Sequence, residues 1–177
     1  MTTTTIPGKL VDGVFRRVLH DEIKPDLAAL LLHAGLDVKA PSPAQVDKDV
    51  WYRSVELTAA SLFPNAADGQ RKLGRHVIDS LQKKHLVKGP FLTMAKLLGV
   101  KRALKQAAEY SETFSPVALS LEDRGGKDVE IHAEEGNQLE FLAGLLEGLV
   151  SALGGRDVKV DIASKSPMKS VFAVAWK

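Results

Sequence analysis

The spacing of apolar residues changes at Pro116, and this change constrains the fold more than any other feature of the chain. Before Pro116, apolar residues recur every three or four positions, which is typical of amphipathic helices. After it, Val117, Leu119 and Leu121 alternate with other residues, as in a strand that buries one face. We therefore predict an α+β fold, in which N-terminal helices precede a segment rich in strands.

The segment after Pro116 predicts the order β-β-α-β-β. Two hairpins are indicated by alternating apolar residues on either side of short polar or glycine-rich turns. The predicted elements are strands at 117–121 and 129–133, a helix at 137–153, and strands at 158–162 and 171–176. Hairpins joined in this way favour an antiparallel sheet, and we expect the helices to cover it.

Four helices are predicted before Pro116. Ser42-Pro43-Ala44-Gln45 carries the signals of a helix start, since Ser42 can cap, Pro43 suits the first position and Gln45 completes a capping box. Residues 8–20 have helical spacing, but Gly8 and Gly13 weaken a helix there. The predicted helices cover residues 26–34, 42–62, 66–84, and a stretch that opens at Gly89-Pro90, is broken or bent near Gly99 and ends near Tyr110.

Length and composition indicate one globular domain over residues 7–177, with residues 1–6 as a disordered tail. The chain has 177 residues, of which 45% are apolar and 26% charged, and it contains no cysteine. Disulfides, cysteine-ligated metals and thiol catalysis are thereby excluded, and a cytoplasmic protein is expected. The apolar stretch at 139–153 is too short for a bilayer and predicts a buried helix, so no membrane span is expected.

Charge is separated along the chain. Residues 70–105 hold ten Lys or Arg against Asp79 alone, a net charge of +9, whereas residues 109–148 hold ten acids against Arg124 and Lys127, a net charge of −8. The basic stretch is a candidate surface for an anion or an anionic partner. Its candidate binding residues are Arg71, Lys72, Arg75, Lys101, Arg102 and Lys105.

Several partners remain open for this surface. Nucleic acid is disfavoured, because aromatic residues are sparse and no recognition module is legible. The acidic face of a second copy is at least as good an interpretation. Gly144 and Gly148, four residues apart, allow a backbone to approach the predicted 137–153 helix closely. We expect close packing on the sheet there, with a homodimer contact as the alternative.

No catalytic constellation is evident. His76, Asp79 and Ser80 share one helix face, but this spacing alone does not orient a nucleophile toward a base. The sequence has no Gly-x-Ser-x-Gly elbow, no phosphate-binding loop and no dinucleotide fingerprint. We predict an ordinary helix surface here, and a chain that is not an enzyme.

One strand carries a candidate metal set. Glu130, His132 and Glu134 alternate with apolar residues and therefore lie on one face of the predicted strand. An imidazole with two carboxylates can bind zinc or non-haem iron. A solvent-facing strand surface explains the same alternation more simply, so no metal is predicted.

Short motifs along nearly the whole chain resemble those of the Myxococcus–Stigmatella paralogous family, a domain of unknown function of roughly 200 residues. Their order and spacing carry the resemblance more than any single motif. The motifs are Val14-Phe15-Arg16-Arg17, Ala34-Gly35-Leu36-Asp37, Trp51, Phe63-Pro64, Arg71-Lys72-Leu73-Gly74-Arg75, Leu98-Gly99-Val100-Lys101-Arg102, Ala143-Gly144-Leu145-Leu146-Glu147-Gly148 and Trp176.

More distantly, helices followed by β-β-α-β-β resemble the superfamily of haem–nitric-oxide-binding, 4-vinyl-reductase and TRAPP-like domains. This resemblance implies a mixed fold, an apolar pocket for a small molecule or acyl chain, and frequent dimerisation. The haem branch is expected to carry Tyr-x-Ser-x-Arg, and Tyr110-Ser111-Glu112 does not match it. The cysteines frequent in 4-vinyl-reductase domains are missing, so no haem, metal or other cofactor is expected.

Together, these observations predict a non-catalytic sensory or adaptor domain that binds a small apolar ligand, a protein partner, or both. Candidate pocket residues are Trp51, Phe91 and Leu98 on the long helices, for which a place in the plain core is the alternative. The competing hypothesis is a module that binds anions or nucleic acid through residues 70–105.

Overall fold

The C-terminal part of the chain forms a four-stranded antiparallel sheet. One helix of this part packs both against the sheet and against the N-terminal helices. These features come from a computed structural model, which describes residues 5–64, 66–84, 97–109, 117–134 and 137–177. The α+β class is confirmed, and the predicted order holds for the four-stranded sheet, whose strands follow the N-terminal helices. Within the described residues, no helix has the length and apolar character that crossing a membrane needs.

Thr5 and Ile6 belong to a paired strand, which corrects two predictions. Strand β1 (Thr5–Pro7) pairs antiparallel with β2 (Gln45–Asp47), and Ile6 lies opposite Val46. Ile6 is 1% exposed, so residues 5 and 6 are not part of a disordered tail. The helix predicted to start at Ser42 is extended instead, because burial of Val46 against Ile6 outweighs the local capping signals.

Most helices before the sheet lie close to their predicted positions. The helix after β2 begins at Lys48, where Asp47 accepts a hydrogen bond from the backbone N–H of Asp49 at 2.9 Å, and it ends just before Phe63-Pro64 as predicted. The ambiguous stretch 8–20 is helical, but most of it is a π-helix. The elements are α1 (Gly8–Val11), the π-helix (Asp12–Val18), a 3₁₀ turn (His20–Glu22), α2 (Pro25–His33), α3 (Lys48–Leu62) and α4 (Gly69–Lys83).

The next described helix is α5, Val100–Glu109. Gly99 precedes it with a φ of +81°, a left-handed conformation that glycine adopts without strain, and the break or bend predicted near Gly99 lies at this residue. The predicted opening at Gly89-Pro90 and the predicted end near Tyr110 lie outside the described residues.

The β-β-α-β-β order is confirmed. Its elements are β3 (Leu119–Gly125), β4 (Asp128–Ala133), α6 (Leu139–Ala152), β5 (Lys159–Ser166) and β6 (Lys169–Ala175). The strands lie in the order β3-β4-β6-β5, so the two hairpins join through β4 and β6, with Ile131 opposite Phe172.

Helix α6 belongs to two apolar clusters. In the first, Trp51 packs edge-on against Phe15 and against Phe141 of α6, with ring centroids 5.7 and 6.0 Å apart. In the second, another face of α6 packs with α5 and with the buried face of the sheet, including Ile131 and Phe172. A helix that is apolar on most sides is buried on most sides, which explains the long apolar run at 139–153.

Glycines let α4 and α6 pack backbone to backbone. A Cβ on Gly144 would overlap the carbonyl oxygen of Arg71, and one on Gly74 would overlap that of Phe141. A Cβ on Gly148 would lie 2.8 Å from the Cβ of Ile78. The close approach at Gly144 and Gly148 is therefore to a helix of the same chain. The predicted packing of these glycines on the sheet is therefore wrong, and α4 occupies the helix face that the alternative homodimer contact would need.

We expect Gly144→Ala to lower the free energy of unfolding by about 2 kcal/mol, because the new methyl meets backbone that cannot turn aside. This cost opposes the gain of roughly 1 kcal/mol that alanine brings to a helix. Urea denaturation measures the difference. Gly13→Ala is the matched control, since a Cβ there meets nothing within 4 Å. Equal stability of Gly144→Ala and the wild type would contradict the close contact.

Candidate functional site

Arg71 connects three elements of the fold. From the first turn of α4 its Nε donates to Glu147 Oε1 at 2.9 Å and its Nη1 to Glu140 Oε2 at 3.2 Å, both on α6. Its Nη2 donates to the carbonyl oxygen of Val160 in β5. The side chain is 22% exposed. The planar guanidinium can serve all three acceptors at once, so Arg71 fixes α4, α6 and the sheet relative to one another.

A surface cleft lies beside this junction, where α4 and α6 both begin and β5 forms the edge of the sheet. Its volume is about 540 Å³, within the range typical of small-molecule sites. Leu139, Ile162 and Ala163 give it an apolar part, and amide, hydroxyl and charged groups supply the rest. The lining residues are Gln70, Gln138, Leu139, Glu140, Ile162, Ala163, Ser164 and Lys165. We call this the α4–α6–β5 cleft.

The wall of the cleft at the start of α6 is held by Gln138. This residue has a φ of +55°, and its side-chain amide donates to the carbonyl oxygen of Tyr52 in α3 at 2.8 Å. The opposite wall bends at an irregularity in the register of β5 between Ile162 and Ser164. Such bulges re-aim side chains at the edges of sheets. The cleft is thus built from positions that backbone geometry fixes.

A second cleft of about 240 Å³ lies between the end of α2 and the start of α3. This volume is below the usual range for small-molecule sites. Asp37 and Asp47 contribute carboxylates to it, and Val46 and Val50 contribute apolar surface. Its lining residues are Gly35, Leu36, Asp37, Pro41, Ser42, Pro43, Gln45, Val46, Asp47 and Val50.

The predicted pocket residues do not come together in either cleft. Trp51 is 1% exposed and lies in the core, where its Nε1 has no hydrogen-bond partner among the described residues. Leu98 is 40% exposed and lies just before α5. Phe91 lies outside the described residues. The α4–α6–β5 cleft has no sequence signal, since its lining comes from separate stretches of chain.

Four of the six predicted anion-binding residues contact acids of their own chain. Arg71 is engaged as described, and the Nε of Arg75 lies 3.2 Å from Glu147 Oε2. The Nζ atoms of Lys72 and Lys101 lie 2.9 Å and 2.5 Å from carboxylate oxygens of Asp68 and Asp123. The remaining two, Arg102 and Lys105, are exposed on α5. Most of the predicted anion-binding residues are therefore paired with acids of the same chain.

These pairs shift the titration of the exposed carboxyl groups. The hydrogen bond from Lys101 is the main cause that lowers the pKa of Asp123 below its ordinary value of 3.8, and the backbone N–H of Gly125 lowers it further. Lys72 lowers the pKa of Asp68 in the same way, and Lys84 that of Asp21.

The His76 helix face does not form a catalytic triad. The Nε2 of His76 lies 2.5 Å from Glu22 Oε2 and 3.4 Å from Ser80 Oγ, so one nitrogen faces both partners. A triad requires the two ring nitrogens to serve different partners. Asp79 is exposed and belongs to no part of this contact. The interpretation as a helix surface therefore fits the geometry better.

Strand pairing changes the membership of the candidate metal set that the sequence indicates. Glu130 and His132 lie on the solvent-facing side of β4, and Glu122 of β3 joins them in place of Glu134. One ligand atom from each of these three residues lies within 4.8 Å of the others, the only such grouping among the residues that the structure describes.

Residues 4–177 match the family described as protein of unknown function, DUF2378. Among curated proteins, none matches the chain.

Solved structures with a similar fold include H-NOX domains. A point variant of Tt H-NOX has a TM-score of 0.71 at 15% identity, over 97% of this chain and 95% of that one. A mutant H-NOX of T. tengcongensis has a TM-score of 0.67 at 15% identity, over 97% and 98%. An oxygen-binding H-NOX domain related to soluble guanylate cyclases, in its oxygen complex, gives 0.68 at 15%, over 97% and 95%. This confirms the mixed fold implied by the second resemblance.

The described histidines and methionine do not fit haem. Haem iron in proteins is held by His, Cys, Met or Tyr side chains that project into the haem pocket. Of the described histidines, His20 and His33 are exposed on the surface, His76 contacts Glu22, and His132 lies on the outer face of the sheet. The chain has no cysteine, and Met168 is 64% exposed in a hairpin turn. None of these histidine and methionine side chains is therefore placed to hold haem iron in a pocket.

We expect Arg71→Lys to lower the free energy of unfolding by about 2 kcal/mol, because one ammonium group cannot replace three directed hydrogen bonds to charged and backbone acceptors. Chemical denaturation measures the loss. The matched control is Lys72→Gln, which removes an exposed pair with Asp68 and should cost no more than about 0.5 kcal/mol. Similar losses in the two variants would contradict the linking role of Arg71.

The Lys101–Asp123 pair should respond to acid. Because the folded-state pKa of Asp123 is lowered, its stabilising contribution is fully present above the ordinary value of 3.8 and is lost as the pH falls through the folded-state pKa. In an NMR titration, Lys101→Met should raise the pKa of Asp123 toward 3.8, whereas Lys165→Met should leave it unchanged. An unchanged pKa in Lys101→Met would refute the assigned cause.

Proposed function

This chain belongs to DUF2378, a family of proteins of unknown function, and we propose that it is a non-catalytic sensory or adaptor domain of the cytoplasm. In this proposal it binds a small, largely apolar ligand, a protein partner, or both. The observation that carries the proposal is the α4–α6–β5 cleft of about 540 Å³, in a chain that shares its fold with H-NOX domains.

The lining of the cleft indicates the chemistry of its ligand. Leu139, Ile162 and Ala163 offer apolar contact, and the amides of Gln70 and Gln138 offer directed hydrogen bonds. Binding sites for small molecules typically combine an apolar wall with a few fixed polar groups. A ligand with an apolar body and one or two polar atoms would suit this lining.

The position of the cleft supports a sensory role. It is lined by the first residues of α4 and α6 and by the edge of the sheet, the same three elements that Arg71 connects. A ligand in the cleft would contact all three elements, and its affinity would therefore depend on their relative positions. A ligand that binds one arrangement better than another shifts the population toward it.

The non-catalytic part of the proposal is supported by the chemistry of the described side chains. The His76, Glu22 and Ser80 contact uses a single ring nitrogen, so it lacks the relay that nucleophilic catalysis by serine needs. The described lining of the cleft includes Glu140 and Lys165 but no histidine.

A module that binds anions or nucleic acid remains the second candidate. Arg102 and Lys105 are exposed on α5, one turn of helix apart, and they favour this function. Fewer basic side chains are available to an anion than the sequence predicts, because four of the six contact carboxylates of the same chain. These four are Arg71, Lys72, Arg75 and Lys101.

Native mass spectrometry of the untagged protein tests the first candidate, with a denatured control. We expect a co-purified mass excess in the wild type that is lost in Ala163→Trp, because the indole fills the cleft, and retained in Ala60→Trp, where the exposed alanine lies on α3. Equal mass excess in both variants would place the ligand elsewhere. A Soret absorption band would contradict the assignment of a haem-free site.

The second candidate is separated from the first by salt. Phosphate-driven binding weakens steeply as ionic strength rises, whereas burial of an apolar ligand does not. An electrophoretic mobility assay with mixed DNA and RNA at low salt measures this binding. If no shift is seen even at low salt, the nucleic-acid function is refuted.

A further inference from the structure

Two carboxylates face each other on the outer side of the sheet. Glu122 of β3 lies directly opposite Glu130 of β4 in the strand register. Like charges at opposite positions destabilise a strand pair, so this arrangement favours a cation between the two side chains. The outer side of the β3–β4 hairpin is therefore a place where positive charge is stabilised.

Two neighbouring side chains contact these carboxylates. Arg124 Nη2 lies 2.6 Å from Glu130 Oε2, and Arg124 Nη1 lies 3.4 Å from Glu122 Oε1. His132 Nε2 lies 3.5 Å from Glu122 Oε2 and 3.8 Å from Glu130 Oε2. The imidazole thus directs one nitrogen at both carboxylates, and the guanidinium bridges the same two groups.

The spacing of these atoms suits a metal ion of the zinc class. Zinc binds imidazole nitrogen and carboxylate oxygen at about 2.0–2.2 Å, which places neighbouring tetrahedral ligands about 3.3–3.6 Å apart. The two distances from His132 Nε2, 3.5 and 3.8 Å, are close to this value. Glu122 is 52% exposed, so its carboxylate can turn the remaining few tenths of an ångström without moving the backbone.

We propose that Glu122, Glu130 and His132 form a binding site for a divalent transition-metal ion such as Zn²⁺, and that Arg124 competes with the metal for the same carboxylates. Arg124 is 49% exposed and can turn into solvent when the ion enters. The fourth ligand position would face solvent, which is the arrangement that leaves a metal open to a further ligand.

This competition has a structural consequence. Without a metal, Arg124 at the end of β3 links the two strands through its contact with Glu130 of β4. A bound metal would instead link β3 and β4 through Glu122 on one strand and Glu130 and His132 on the other. The site lies on the face of the sheet opposite the apolar cluster that contains Val129 and Ile131. The proposal is independent of any ligand in the α4–α6–β5 cleft.

Isothermal titration of the untagged full chain with Zn²⁺ at constant pH tests the site. We expect one ion per chain, at least a 10-fold loss of affinity in His132→Ala and in Glu130→Gln, and a gain of about 10-fold in Arg124→Ala. His33→Ala is the matched control, because His33 is an exposed histidine on α2, and it should bind as the wild type does. Circular dichroism verifies that each variant is folded.

Each other result would overturn part or all of the proposal. Wild-type affinity in His132→Ala, or an equal loss in His33→Ala, would show that zinc binds elsewhere. No gain in Arg124→Ala would refute the competition. Absence of heat in both the wild type and Arg124→Ala would refute the site itself. Substituting Co²⁺ adds an independent readout, since the visible absorption of a four-coordinate site should be lost in Glu130→Gln.

Discussion

The rest of the structure depends on the close contact between α4 and α6. Because Gly74 and Gly144 carry no Cβ, the two backbones meet directly, and Arg71 on α4 comes within reach of Glu147 on α6 and of the edge strand β5. Helix α6 then presents one face to the aromatic cluster around Trp51 and another to the sheet. The two apolar clusters are held together by this one helix, and the α4–α6–β5 cleft opens where its first turn meets α4.

Among the described residues, part of the charge that is separated along the chain is balanced by ion pairs within the molecule. The basic stretch lies mainly on α4 and α5, and the acids that follow lie on the β3–β4 hairpin and on α6, so folding brings opposite charges together. Lys101 with Asp123 and Arg75 with Glu147 are examples. Here, part of the charge pattern in the sequence reflects ion pairs between segments of the same chain. Of the six predicted anion-binding residues, only Arg102 and Lys105 remain for an external partner.

Sequence reasoning found the elements better than it found the sites. The sequence leaves both a pocket and the core open for Trp51, and packing against Phe15 and Phe141 places this residue in the core. The cleft residue Ile162 carries no sequence signal, because the cleft exists only where distant stretches meet. The sequence does not place Glu122 beside Glu130 and His132, since a neighbour on the next strand is visible only once the strand register is known.

The sequence by itself determined the α+β class, the two hairpins and the buried helix between them, because hydrophobic periodicity and turn residues act over a few positions. Only the tertiary structure decided the strand order, the pairing of Ile6 with Val46 that replaces a predicted helix start, and the helix that covers Gly144. These depend on contacts between residues far apart in the chain, and burial of apolar surface in such contacts outweighs local preferences of about 1 kcal/mol.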